Sequence, residues 1–455
     1  MKAVPFLLIL VSSISARAET FGPYLGDVTR TSIKVAWRTE IPSNSVVEVA
    51  PAENGDFVAA GGTDQETLQH EVLLTGLDAG ARYRYRVRSD TGGATVFESE
   101  PHHFRIDGGP GSPFRFVFFA EVHENSEVAG FDSVVRAFDP DFQIQPGDNV
   151  DEGSELAQWQ NFFTRGDWYG DLPLFNVNGN HNYAGNGIDL STEVLVNPGN
   201  EFYYSFRYGD VLFLGIDSEH LLNDEIRDNV PPWLEKVLTD ATDGIEDPVF
   251  IIAFEHIPPW SSCTGSCALR KLVENPWVRD ELVERFERFG VDLVLNGHDK
   301  IYERSLKEGV TYIQVNSGSG PYDVDPDAGF NPYSQVLVGD GLSMLRVAVQ
   351  GCALRFEAVR PDGVVIDEGE LTGRCGNLKS SDEVVIGDSD DAGIVEAGYF
   401  ADHNGESAGG CSGASRSASS GPYTWILAGF LFPLLLLRSR TVFFGNILIN
   451  KGDST

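Results

Sequence analysis

FRFVFFAEVHENSEVAGFDSVVRAFDPDFQIQPGDN, residues 114–149, is the stretch on which the fold turns. A short apolar run gives way to FDSVVRAF, with apolar residues at helical spacing, and a second apolar run, FQIQ, then ends at a Gly-Asp turn. Strand, helix and strand in that order form the unit of a parallel α/β sheet. Ligands of such sheets gather beyond the carboxyl ends of the strands. Those ends carry Glu121 and His123 after the first run and Asp148 after the second.

The same rhythm continues outward. ELAQWQNFF (155–163) is helical, LPLFNV (172–177) and VFIIAF (249–254) are strands, and VRDELVERFERFG (278–290) is an amphipathic helix closed by glycine. VDLVLN (291–296), VTYIQVNS, SMLRVAVQ, ALRFEAV and VVIDEGEL follow as strands, so this block ends near Cys375. Upstream, residues 20 to 106 alternate apolar and polar at period two, as in SIKVAWRT and YRYRVRS, with Gly, Asn, Asp and Pro between the runs. The expected fold is an N-terminal all-β sandwich (20–106) followed by an α/β domain (107–375).

A chain of 455 residues calls for two or three domains. Lys2, an apolar run from Val4 to Val11 and Ala16-Arg17-Ala18 have the layout of a signal peptide over 1–18. The run is shorter than the roughly 20 residues of a spanning helix, which argues against an anchor there. A formal net charge of −35 and a pI near 4.5 exclude broad attraction to nucleic acid. The five cysteines fit an oxidising compartment, with Cys263 paired to Cys267, Cys352 to Cys375 and Cys411 left over; a thiolate metal site is the rival reading. Residues 376–420, rich in Asp, Glu, Gly and Ser, read as a linker, and 423–440 as an apolar membrane or sorting helix with Arg438 and Arg440 as its basic flank. GGCSGA (409–414), the apolar helix and the basic pair resemble the tripartite sorting signals of bacterial surface proteins, although residues 441–455 run on past the point where those signals stop. The expected location is therefore periplasmic, cell-surface or secreted, with membrane contact through the C-terminal helix unless it is processed.

The strand ends carry FAEVH (119–123), GDNVDEG (147–153), GNHN (179–182), FEHIPP (254–259) and GHDKIYER (297–304). One His after a strand is ordinary loop chemistry, and a lone GD or GN is an ordinary turn. Five such words in order resemble the calcineurin-like metallophosphoesterases, whose words are DxH, GDxx, GNH followed by an acid, a His after an apolar strand, and GHxH. GHDKIYER is similar to the GHxHxYER of purple acid phosphatases. FGPYLGDVTRTSIKVAWRT (21–39), HEVLLTGLDAGARYRYRV (70–87) and HHFRI (102–106) resemble the fibronectin type III-like domain that precedes the catalytic domain there.

The resemblance implies a four-layer sandwich with two central sheets, a phosphate-ester substrate, and divalent metal ions such as zinc, manganese or iron. It implies one metal on Asp148 as bridging carboxylate, Asn180, His256 and His298. A second would lie on Glu121, His123 and Asp148. It gives His181 contact with the phosphoryl group and its leaving oxygen. The chain departs from the pattern at four places: Glu121 stands for Asp, Lys300 for the second His of GHxH, Asp151 for the tyrosine of a coloured iron site, and Asn182 for the acid that would orient His181. A glutamate still ligates, whereas an ammonium has no lone pair and repels a cation. Lys300 is therefore read as a catalytic charge. The alternative is a silent binding module that keeps the fold.

Overall fold

The computed structural model describes residues 20–375, apart from 54, 125, 246, 264–275, 319, 321–323 and 325–330. The expected signal peptide, linker and C-terminal helix, with Cys267 and Cys411, lie outside the described residues. Among the described residues no helix is long and apolar enough to cross a membrane.

The period-two segment forms β1 (Phe21–Gly26), β2 (Ser32–Pro51), β3 (Val58–Thr75), β4 (Arg82–Thr91), β5 (Ala94–Glu98) and β6 (His102–Arg105). Alternation puts Ile33, Val35 and Trp37 fully inside. The Trp37 indole N–H donates to Ser89 Oγ at 2.9 Å, and its ring stacks on buried His70 at 4.7 Å. β2 shifts register between Arg38 and Ser45, which lets one long strand pair with β1 near its start and with β4 near its end.

The second domain contributes β7 (Phe114–Phe118), β8 (Phe142–Gln145), β9 (Leu174–Asn176), β10 (Tyr203–Tyr208), β11 (Val211–Ile216), β12 (Phe250–Glu255), β13 (Leu293–Asn296), β14 (Tyr302–Lys307), β15 (Val310–Gln314), β16 (Ser334–Val338), β17 (Met344–Gln350), β18 (Ala353–Val359) and β19 (Val365–Thr372). Its α-helices are α1 (Asp132–Phe138), α2 (Leu156–Thr164), α3 (Asn180–Tyr183), α4 (Ile188–Val194), α5 (Asp224–Ala241) and α6 (Glu284–Phe289). The amphipathic stretch begins as a π-helical turn over Val278–Val283, continues as α6, and closes at Gly290 with φ +66°.

These strands make two sheets. One runs β19-β18-β17-β7-β8-β9-β1-β2-β4-β5, with β3 on β2 and β6 on β4; the other runs β10-β11-β12-β13-β15-β14-β16. β1 lies parallel to β9 with Gly26 opposite Leu174, so the first domain's strands extend the larger sheet of the second. Between the sheets lies an aromatic core that includes Phe116, Phe142, Phe175, Phe213 and Phe254. Phe175 stacks on Phe206 at 3.7 Å, and Phe116 meets Phe213 edge-on at 5.6 Å. Each such side chain contributes roughly 1.5–3 kcal/mol by leaving water. Val135 and Phe138 of α1 and Trp159 and Phe162 of α2 cover the outer face of the larger sheet, while Leu234 and Leu238 of α5 and Phe286 of α6 cover the smaller. The order is helix, sheet, sheet, helix, as expected.

The parallel registers of β7, β8 and β9, and of β11, β12 and β13, bring the carboxyl ends of each set to one edge of its sheet. The Tyr-Glu-Arg that follows β13 works away from that edge. Tyr302 donates to Asp367 of β19 at 2.6 Å and Arg304 grips the same carboxylate at 2.6 and 3.1 Å, tying the two sheets together. Glu303 is buried and accepts the Ser262 N–H at 2.8 Å, which holds the segment after His256.

Candidate metal centre

The predicted site residues follow strand ends, most of them in sharp turns and Asn180 and His181 in the short helix α3 after β9. Ten non-glycine residues have positive φ among the described residues, and five of them are Glu121 (+59°), His123 (+49°), Asp148 (+48°), His298 (+71°) and Lys300 (+40°). Such conformations cost free energy and persist where surrounding contacts hold them. The turns also need glycine. Gly147 has φ +97°, and a Cβ there would sit 2.2 Å from the Gly179 nitrogen; one on Gly179 would sit 2.4 Å from Asp148 Oδ1. The GD and GN turns therefore touch backbone to backbone.

Among the described residues, two groups of donor atoms converge within 4.8 Å, one of Asp148, His256 and His298, the other of His123, Asp148 and His181. Asp148 belongs to both. Asn180 joins the first group, its Oδ1 lying 3.3 Å from His256 Nε2. His256 directs Nδ1 to the Pro146 carbonyl at 2.9 Å, which leaves Nε2 facing Asp148 Oδ2 at 3.3 Å and His298 Nδ1 at 3.0 Å. A carbonyl on the far nitrogen is the usual way a protein orients a ligating imidazole.

Glu121 is fully buried but stands aside from both groups. Its Oε2 lies 3.1 Å from His123 Nε2, and its Oε1 accepts the His298 main-chain N–H. The longer side chain thus clamps the turn that carries His298. His123 Nδ1 comes within 2.8 Å of Asp151 Oδ1 without the direction of a hydrogen bond. His181 donates or accepts through Nδ1 at the Asp151 carbonyl, 2.7 Å away; a carbonyl can only accept, so Nδ1 carries the proton.

Asn182, the residue in the place of the orienting acid, does something else. Its Oδ1 accepts the N–H of Asp148 at 2.9 Å and of Gly179 at 3.1 Å, and its Nδ2 donates to Asn149 Oδ1 at 3.0 Å. Asn149 in turn donates to Gln145 Oε1 at 3.2 Å and Asn176 Oδ1 at 2.8 Å. The amide of Asn176 ends on the Val177 carbonyl at 2.7 Å. Gln145 passes to Gln143, whose Nε2 reaches the Leu172 carbonyl at 3.2 Å. Backbone donors at one end and backbone carbonyls at the other dictate which way every amide in this chain points. Asn149, Asn176 and the two glutamines did not stand out as functional residues. The available signal was amides alternating with apolar residues in FQIQ and FNVN, at positions that prove wholly buried or nearly so.

The electrostatics follow from burial and charge. Burial opposes ionisation of Asp148, but the neighbouring His256, His123 and His181 hold its carboxyl well below the usual range. Burial likewise opposes charge on His256, yet Asp148 and then Glu121 lift the imidazole to about 10. Burial and Asp148 press Glu121 upward, and His123 and His256 outweigh them to hold it low. The centre draws positive charge, and protons and a divalent cation compete for the same lone pairs. The donor set of imidazole, carboxylate and amide oxygen fits such a cation. Lys300 is close enough to His123 for its charge to oppose protonation of that ring. On the other side, Tyr183 and Asn178 donate to buried Asp217 at 2.8 and 3.2 Å, which holds the end of α3 against the loop after β11.

Comparison with known proteins supports the same reading. Residues 23–106 match the family model of the purple acid phosphatase N-terminal domain, and residues 114–302 that of the calcineurin-like phosphoesterases. Rat (Rattus norvegicus) serine/threonine-protein phosphatase CPPED1 is 29% identical over 151 residues, 32% of this chain and 46% of that protein. The chain therefore spans less than half the length of that relative. Mouse (Mus musculus) acid phosphatase type 7 is 24% identical over 340 residues, 66% of this chain and 73% of that protein. In fold, the chain is similar to purple acid phosphatase PPD1 from yellow lupin (Lupinus luteus), with a TM-score of 0.67 at 19% identity over 78% of this chain and 74% of that one. It is also similar to PhoD, with a TM-score of 0.60 at 14% identity over 78% and 90%.

Proposed function

Because the chain belongs to the calcineurin-like phosphoesterases and carries a purple acid phosphatase N-terminal domain ahead of the catalytic one, we propose that it is a metal-dependent hydrolase of phosphate esters with a rebuilt second metal position. The observation that carries this is Asp148, shared by two groups of ligand atoms. Asp148, Asn180, His256 and His298 would hold one cation; His123 and Asp148, with Glu121 behind them, would hold a weaker one. Bound there, divalent ions supply a water activated at neutral pH and neutralise the phosphoryl charge.

The chain's own groups do the rest. Asp148 ties the two halves of the centre, and His256 and His298 keep their rings crossed at 79°. Lys300, on the same turn as His298, places its positive charge near His123, and the His181 ring meets that of His123 edge-on at 4.6 Å. Both would border a bound phosphoryl group. The Cys352–Cys375 disulfide supports an exported protein working in an oxidising compartment.

Lys300 also favours a second reading, a silent metal-binding module, since an ammonium replaces a ligand. Metal analysis of the purified protein beside assays with an aryl phosphate monoester and diester separates the two. Metal with turnover supports the hydrolase, metal without turnover the module, and absence of metal defeats both. Lys300→Ala should lower turnover while the tight ion stays bound; an unchanged rate would make Lys300 a bystander.

A further inference from the structure

Two residues of this centre are chemically mismatched to the parts that the resemblance assigns them. Lys300 stands at a ligand position it cannot fill. His181, expected to meet the phosphoryl group and help the leaving oxygen depart, lacks the acid that would support a charged imidazole, because Asn182 is turned away onto the main chain of Asp148 and Gly179. Nδ1 of His181 instead gives its proton to the neutral carbonyl of Asp151 at 2.7 Å. Of the two neutral tautomers, that bond selects the one with a lone pair on Nε2, the nitrogen then offered to a metal.

The position of the ring agrees. His181 shares a ligand-distance group with His123 and Asp148, its ring centroid lies 4.6 Å from that of His123 at 86°, and its main-chain N–H donates to Asp148 Oδ1 at 2.9 Å. The same carbonyl-oriented arrangement recurs at His256, where the Pro146 carbonyl takes Nδ1 and Nε2 faces Asp148. The two histidines thus approach the shared carboxylate from the two groups by the same device.

Resting on the hydrolase reading above, we propose that His181 and Lys300 have exchanged parts. His181 is the third ligand of the second cation, with His123 and Asp148, and Lys300 takes over contact with the phosphoryl oxygens. The exchange explains how a chain that lost one histidine ligand keeps two ligand groups. It also gives Asn182 a reason to be an amide, since the ring beside it is oriented from elsewhere.

The test is titration of the metal-free full-length protein with Mn2+ by calorimetry, with bound metal counted independently and inorganic phosphate then titrated into the loaded protein. Wild type takes up two ions. His181→Ala and His181→Gln keep the tighter ion and weaken the second by about 100-fold or more, while Lys300→Ala keeps both ions and binds phosphate more weakly. Retention of the tight ion shows that each variant is folded. Two ions at unchanged affinity in both His181 variants overturn the proposal, as does loss of the second ion in Lys300→Ala, or a wild type that binds one ion only. Each of those outcomes leaves the hydrolase reading standing, whereas a wild type that binds Mn2+ without hydrolysing aryl phosphates defeats that reading and the exchange with it.

Discussion

Asn182 accepts the main-chain N–H of Asp148 at 2.9 Å, across 34 positions of sequence. This bond joins the turn after β8 to the turn after β9, and the same oxygen takes the Gly179 N–H. Asn182→Ala strands three buried partners, the two N–H groups and Asn149 Oδ1. Unfolding in urea should show a loss on the order of 3 kcal/mol. Asn182→Asp should also destabilise, because a carboxylate oxygen would face Asn149 Oδ1 and the amide chain has no free end at which to reverse. A variant as stable as wild type would show that the network is incidental.

Asp148 and His256 should differ in what they remove. Asp148 lies in both ligand groups and His256 in one. Asp148→Ala is expected to abolish binding at both positions, and His256→Ala to remove the tighter ion alone. Metal content by mass spectrometry, read with thermal melting to confirm folding, checks this. Equal loss in the two variants would count against a bridging carboxylate.

Glu201 should make stability depend on pH. Burial raises its carboxyl to about 8, against the Asn197 N–H and Lys34, which favour ionisation. A folded-state value above the unfolded one means that the folded form holds the proton longer. This contribution is fully present below about 4.5 and is lost as pH rises toward 8. Glu201→Gln is expected to raise the melting temperature relative to wild type at pH 8 and to leave it nearly unchanged at pH 4. An equal shift at both values would mean that the carboxyl does not titrate in that window.

The Cys352–Cys375 bridge closes a loop with a sequence separation of 23 residues at the outer end of the larger sheet, joining the turn before β18 to the end of β19. Replacing both cysteines with serine should cost about 3 kcal/mol by restoring freedom to the unfolded chain. Cys263 is disulfide-bonded as well. Peptide mapping without reduction is expected to pair it with Cys267 and to show no crossing to Cys352 or Cys375.

What the sequence determined by itself was local. Apolar runs of strand length, the helical spacing of FDSVVRAF and the glycine that closes α6 depend on near neighbours, so strands and helices form where their patterns say. The order of FAEVH, GDNVDEG, GNHN, FEHIPP and GHDKIYER was legible for the same reason: each word follows a strand, and parallel strands bring their ends to one edge. Tertiary structure alone decided which side chains meet there. Glu121 reaches the His298 N–H across 177 positions while keeping His123 at its other oxygen, Asn182 accepts the Asp148 N–H, and β1 joins β9 so that the first domain extends the larger sheet. None of these is a pattern of neighbours. Each depends on burial, because a polar group taken out of water must find a partner among whatever the packed sheets bring within 3 Å, and for the Asp148 N–H that partner is Asn182, the residue standing in place of an acid.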